Sequence, residues 1–322
     1  MIKLPALVLA SVFFLPGLGK AQEAGYPTKP IKLLVGATAG GPSDVIARLM
    51  AQKLSSALGQ QVVVENRAGA GATLAAAMVA KSPPDGYTLF LTPSAHSLAP
   101  SMYEKLSFDP VADFESVGEF GIVPLVMIVN KSFPANSLKD FVSLARAKPN
   151  SINFGSGGNG TSQHLAGELL MSITGIQMSH VPYKGSALAM TDLLGGQIQV
   201  IIEPLLSALP QIESGRVKAL VVTAPRRASS LPNVPTTKEA GMPELDVSAW
   251  YGLLAPAKTP EGVISRLNAA LNSTLSEPAT KASLQAQGVE VVFGPPKLFT
   301  DLIVSEIARW KPIIKKSGIK AD

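Results

Sequence analysis

Apolar residues along the chain alternate between short continuous runs and faces spaced at three and four positions, the pattern of alternating strands and helices. Ile31-Lys32-Leu33-Leu34-Val35 predicts a strand. After Gly40 to Asp44 comes a helix whose Val45, Ile46, Leu49, Leu54, Ala57 and Leu58 share one face, and Gly59 stops it. Val62-Val63-Val64 predicts a second buried strand, a small-residue helix follows over 72–81, and Pro84-Asp85-Gly86 turns the chain into a strand over 87–91. This first stretch reads βαβαβ, where right-handed crossovers build a parallel sheet. An apolar strand over 122–129 leads to a second unit: a strand at Ile152-Asn153-Phe154, a glycine-rich loop over 155–160, and a helix over 161–174. Strands follow over 176–183, 198–202 and 217–223, then a proline-rich stretch, a strand over 250–255, and helices over 261–276 and 298–315.

A chain of 322 residues favours two domains. The apolar strands near 120–130 and 250–255 suggest two passages between them. One reading is a discontinuous first domain, 22–124 plus 247–322, with a second domain, 125–246, inserted. Two domains in series fit the pattern equally well.

Composition narrows the function classes. Hydrophobic residues make up 46% and charged residues 16%, which excludes intrinsic disorder. Zero cysteines remove disulfides, thiolate metal sites and cysteine nucleophiles together. The net charge of +5 is spread out, with Arg226-Arg227 and Lys315-Lys316 as the longest basic pairs, so no nucleic-acid groove is expected. Met1-Ile2-Lys3, an apolar run over 4–15, Pro16-Gly17 and Ala21 read as a secretory signal over 1–21, because twelve apolar residues fall short of the roughly 20 a membrane span requires. An exported, soluble, monomeric protein is expected.

Two loops carry the candidate chemistry. Ala37-Thr38-Ala39-Gly40-Gly41 with Ser43 and Asp44, and Ser156-Gly157-Gly158-Asn159-Gly160-Thr161-Ser162, each follow a strand and open a helix. Glycine admits close approach, and a helix N-terminus presents unsatisfied N–H groups with about half a positive charge. Two such ends facing each other would clamp a carboxylate; plain capping by Ser43, Asp44, Thr161 or Ser162 is the simpler alternative. Gly155 to Gly160 also satisfies G-x-G-x-x-G, yet Tyr183-Lys184-Gly185 stands where a dinucleotide site needs an acidic residue, so no cofactor is expected. The histidines are His96, His164 and His180, without H-E-x-x-H or G-x-S-x-G, so neither a metal hydrolase nor an α/β-hydrolase is indicated. Ser94 and His96 end a predicted strand and His164 lies in a first helical turn, so both histidines are candidates for the rim, while His180 reads as structural. Glu203 follows a buried strand and could hold a ligand amine, hydroxyl or water; Tyr183 lies on the same rim.

The loops belong to longer motifs: Tyr26-Pro27-Thr28-Lys29-Pro30-Ile31, Ala39-Gly40-Gly41-Pro42-Ser43-Asp44, Glu65-Asn66-Arg67-Ala68-Gly69-Ala70-Gly71, Pro84-Asp85-Gly86-Tyr87-Thr88, His180-Val181-Pro182-Tyr183-Lys184-Gly185 and Val234-Pro235-Thr236. In this order they resemble the periplasmic receptors of tripartite tricarboxylate transporters, the Bug family. The resemblance implies an α/β, two-domain periplasmic binding protein of type II-like, Venus-flytrap form, each domain a mostly parallel sheet flanked by helices, and it favours the discontinuous arrangement. It further implies a non-enzymatic receptor gripping a small organic acid or amino-acid-like solute through backbone amides and ordered waters of the two loops, with inner-membrane transporter subunits as partners. The chain departs from the family pattern at Gly36-Ala37-Thr38, where Pro-Phe is common, and at Glu203, where Asp is frequent. The alternatives are a receptor serving signalling and a periplasmic hydrolase using His96 or His164 with a nearby serine.

Overall fold

The computed structural model describes residues 25–318 apart from Gly41 and Pro225. The signal proposed for 1–21 lies outside the described residues.

Among the described residues ten strands form one curled sheet: β1 (Ile31–Val35), β2 (Val62–Asn66), β3 (Thr88–Pro93), β4 (Phe114–Asn130), β5 (Asn153–Ser156), β6 (Ser179–Pro182), β7 (Val200–Pro204), β8 (Val217–Val222), β9 (Ser248–Pro256) and β10 (Glu290–Val291). Ten α-helices among the described residues cover it: α1 (Pro42–Leu58), α2 (Thr73–Ala80), α3 (Ala95–Met102), α4 (Leu138–Ala147), α5 (Ser162–Thr174), α6 (Ser186–Leu194), α7 (Leu205–Glu213), α8 (Glu261–Ser276), α9 (Pro278–Ala286) and α10 (Pro296–Ser317). Strands buried on both faces read as apolar runs rather than alternations, which is why β1, β7 and β8 were visible in the pattern. The pattern did not reveal α3, α4, α6, α7 or α9. Of these α4 has the plainest signal, with Ser137 capping it by accepting the Asp140 N–H at 3.1 Å ahead of buried Leu138, Phe141, Val142 and Ala145.

The sheet has two halves joined through β4. Up to Pro124 this strand pairs with β9 and β10; from Leu125 onward it pairs with β7 and β8. The order β2-β1-β3 is parallel on one side of the molecule, as is β6-β5-β7 on the other. Every pairing of β4 and β9 is antiparallel, so each half is mixed where a mostly parallel sheet was expected. These strands carry the chain across the junction instead of returning it through a helix to the same sheet end.

At the junction the fully buried Thr223 donates its backbone N–H to the Leu125 carbonyl at 2.8 Å, and its hydroxyl hydrogen-bonds the Val247 carbonyl. One residue thus binds both passages of the chain. A continuous apolar layer containing Ile46, Leu54, Phe141, Leu170 and Leu271 packs on one face of the sheet, and two smaller clusters lie on the other. α2 and α10 cover the first half there through Ala75, Val79, Phe299 and Ile303; α6 and α7 cover the second through Leu193, Leu205 and Ala208.

Candidate functional site

The ends of β1 and β5 place the two loops. In the first, a Cβ on Gly36 would stand 2.2 Å from the Ala72 Cβ, so only glycine lets the chain leave β1 along this path. Ala37 is half-buried, while Thr38, Ala39 and Gly40 are exposed; Gly41 lies outside the described residues. Asp44 braces the turn from below. Its Oδ2 accepts the Gly40 N–H at 2.8 Å and Arg48 Nε at 3.0 Å, and its Oδ1 accepts Asn66 Nδ2 at 2.9 Å. Asn66 also donates to the Ala37 carbonyl at 3.0 Å. The Arg48 hydrogen bond is the main reason that the Asp44 carboxyl sits below its usual range. Asp44 was expected at the ligand; the structure turns it inward, because its lone pairs satisfy loop and arginine donors. Ser43 Oγ stands 3.5 Å from the hydroxyl of Tyr251 on β9.

The second loop is bound to its own helix. Gly157 donates its N–H to Gln163 Oε1, Gly158 to Ser156 Oγ at 3.1 Å, and Gly160 to His164 Nδ1 at 3.2 Å. Three amides expected to grip a ligand are therefore engaged within the loop. Thr161 caps α5 by accepting from the His164 N–H, and its hydroxyl donates to the Gly158 carbonyl at 2.9 Å. Thr161, Ser162 and Asn159 are half-buried at the helix opening. His164 and His180 stack with ring centroids 3.7 Å apart, and His180 Nε2 lies 2.7 Å from Ser156 Oγ. Burial, and then the neighbouring His164, pull His180 down to about 4, so it is neutral near pH 7. His180 is structural, as its position in a strand suggested, and His164 joins it as a support for the loop instead of facing the cleft.

The remaining candidates separate. His96 does not reach the rim: Ser94 opens α3, and the ring is enclosed by Phe90, Phe108 and Phe114, with Nε2 2.9 Å from the Pro110 carbonyl. That cage depresses it to about 4, by desolvation above all. The strand ends one residue before Ser94, so the helix carries His96 back into the core. Ser94 is itself buried, its carbonyl accepting the Ser97 hydroxyl at 2.8 Å. Tyr183 turns its hydroxyl to Asp192 Oδ2 at 2.6 Å, and burial, followed by this carboxylate, holds it up at about 12. Glu203 is no rim carboxylate. It is fully buried at the end of β7, accepting from Ser207 Oγ at 2.5 Å and from Gln163 Nε2, and burial lifts it to about 7.

The two loops belong to different halves, and α3, which follows β3 in the first half, reaches the second loop. A Cβ on Gly160 would fall 1.8 Å from Met102 Cε and 2.4 Å from Sδ, so the end of α3 seats directly on the second loop. The pattern of the chain did not point to Met102, Gln163, Ser186, Ser207 or Tyr251. A polar residue at a buried helical position, Gln163, was the one available signal. Among the described residues no group of three or more His, Asp or Glu is placed to hold a metal, and no helix is long and apolar enough to cross a membrane.

A two-lobed α/β fold with helix N-termini beside glycine loops defines a solute-binding receptor of the periplasmic-binding-protein class. Residues 46–319 match the model of the tripartite tricarboxylate transporter family receptor, and the chain belongs to that family. Protein BugT of Bordetella pertussis is 37% identical over 297 residues, covering 92% of this chain and 91% of BugT. The periplasmic binding protein BugD superposes with a TM-score of 0.82 at 34% identity, over 92% of this chain and 100% of BugD. Rpa4515 of R. palustris, solved with adipate, gives 0.84 at 35% identity over 92% of this chain and 99% of that one. MatC of Rhodopseudomonas palustris, with bound malate, gives 0.80 at 33% over 90% and 100%. The family is one of solute-binding receptors, not enzymes.

Proposed function

We propose that this protein is an exported periplasmic receptor that captures a small carboxylate-bearing solute between the loops after β1 and β5 and delivers it to inner-membrane subunits of a tripartite tricarboxylate-type transporter. The observation that carries the reading is that α1 and α5, one in each half, are both opened by a glycine loop that follows a strand, in a family whose relatives were solved with adipate and malate. Ser43, Thr161 and Ser162 are the side chains best placed at these openings, with Thr38, Ala39, Gly40 and Asn159 shaping the approach. Residues 22–124 with 247–322 form one domain and 125–246 the other. The change of β4 partners after Pro124, and the pairing of Pro124 with Ser248, support that division. Export through the segment 1–21 and a monomeric state complete the proposal.

Differential contacts with both domains would favour the closed state. Micromolar affinity, about −8 kcal/mol, is within reach of a few charge-assisted hydrogen bonds after association costs. Calorimetry against mono-, di- and tricarboxylates, amino acids and aromatic acids tests the reading. Saturable binding of at least one carboxylate is the expected result; binding of amine-only ligands, with no carboxylate bound, overturns it.

A further inference from the structure

Beneath the second loop lies a buried polar chain that the receptor reading leaves without a role. Gln163 is 2% exposed and Glu203 is 0% exposed. The Gln163 amide uses each of its polar atoms: Oε1 accepts the Gly157 N–H, while Nε2 donates to Ser186 Oγ at 2.7 Å and to Glu203 Oε2. The other Glu203 oxygen accepts from Ser207 Oγ. Gly157 is also held at its carbonyl, which accepts the Gly185 N–H at 3.1 Å. A Cβ on Gly157 would stand 2.8 Å from Gln163 Oε1, so the loop lies tightly on this amide.

An amide has two orientations of equal shape and opposite polarity, and a carboxylate can only accept. With Glu203 ionised, turning the Gln163 amide over would face oxygen to oxygen at Glu203 and donor to donor at Gly157. Both mismatches would be buried, where an unmade hydrogen bond costs about 1–3 kcal/mol. We infer that Gln163 and Glu203 are the positioning pair of the binding site: the Glu203 carboxylate locks the Gln163 amide, and the locked amide sets the path of the glycine loop into α5. The inference rests on the reading that this loop faces the solute. Gln163 is a positioning residue, since it acts through Gly157.

Exchanging the two side chains supplies the test. Gln163→Glu alone faces two acceptors across the contact. Gln163→Glu with Glu203→Gln restores every hydrogen bond with the roles reversed, because Glu at 163 accepts from Gly157, Ser186 and the new amide. Hydrogen exchange of the mature protein without ligand, at pH 8, is followed for residues 154–164, with α8 as the internal control. The single variant is expected to speed loop exchange about tenfold or more, and the double variant to return it to within about threefold of the parent, at unchanged α8 protection. A double variant no better than the single one, or a single variant with parental loop exchange, overturns the lock. If Gln163→Glu does not fold, Glu203→Gln decides the matter, since it removes the charge and frees the amide to turn: parental loop exchange then refutes the pair.

Binding of adipate and of malate, measured by calorimetry on the same variants, separates the two levels of the proposal. Affinity should fall about tenfold or more in the single variant and recover in the double. Loop exchange that responds while the affinity of a bound probe does not would overturn the link to the site. A parent protein that binds neither probe counts against these carboxylates as solutes and, with no site left to position, against the pair's role in binding; the exchange result then bears on the loop alone.

Discussion

Glu203 makes stability depend on pH in a direction unusual for a carboxylate. Its neighbours Gln163, Ser186 and Ser207 are uncharged, and burial outweighs their hydrogen bonds, lifting the group from 4.5 to about 7. Between these values the native protein holds a proton that the unfolded chain releases, so stability falls as pH rises. The contribution is complete below 4.5 and gone above 7, and a shift of this size corresponds to about 3 kcal/mol. Glu119, also raised to about 7 by burial and then by Glu306, acts with the same sign; His96 and His180, pulled down to about 4, act with the opposite one. Subtracting the curve of Glu203→Gln from that of the parent isolates the one group. Urea unfolding followed by tryptophan fluorescence from pH 4 to 8 should show the variant gaining about 3 kcal/mol on the parent across the range. A difference constant to within about 0.5 kcal/mol, or one of opposite slope, would refute the assignment of a buried, proton-holding carboxyl.

Other perturbations probe the loops and the core. Asp44→Ala strips partners from Gly40, Arg48 and Asn66, and should cost about 1–3 kcal/mol in urea unfolding while weakening carboxylate binding in calorimetry. Gly160→Ala sets a side chain at φ +71 against Met102; it should lose about 1–2 kcal/mol from the left-handed backbone alone, and adding Met102→Ala should relieve only the collision. His96→Ala empties the space among Phe90, Phe108 and Phe114, so thermal unfolding should show a loss of about 3 kcal/mol, with solute affinity within about twofold of the parent. The depressed His96 should erode stability as pH falls from 6.5 toward 4, so the stability of the parent relative to His96→Phe in urea unfolding should fall over that range, the other titrating groups cancelling in the difference.

Much of the scaffold was legible because burial writes itself into residue order. The strands at Ile31–Val35 and Val217–Val222 are apolar runs, and Glu261–Ser276 matched its predicted bounds because its apolar positions keep a helical period. The two glycine loops were legible for the same reason, as each interrupts a run and opens a helix. α6 and α7 were less so: they are short, and packing against the sheet, not local preference, makes them helical.

Which polar groups meet was not legible, since hydrogen bonds join residues distant in sequence. Asp44 looked available and is consumed by its own loop; His96 looked like a rim residue and lies among three phenylalanines; Glu203 looked free to hold a solute and is sealed beneath Gln163. Residue order by itself determined an exported-looking α/β chain with two helix openings lined by glycine, because periodicity and backbone freedom are local properties. Only the tertiary structure decided which donors remain for a solute and which hold the loops in place, because that allocation depends on burial and on contacts across 40 residues, as from Gln163 to Glu203, or nearly 100, as from Leu125 to Thr223.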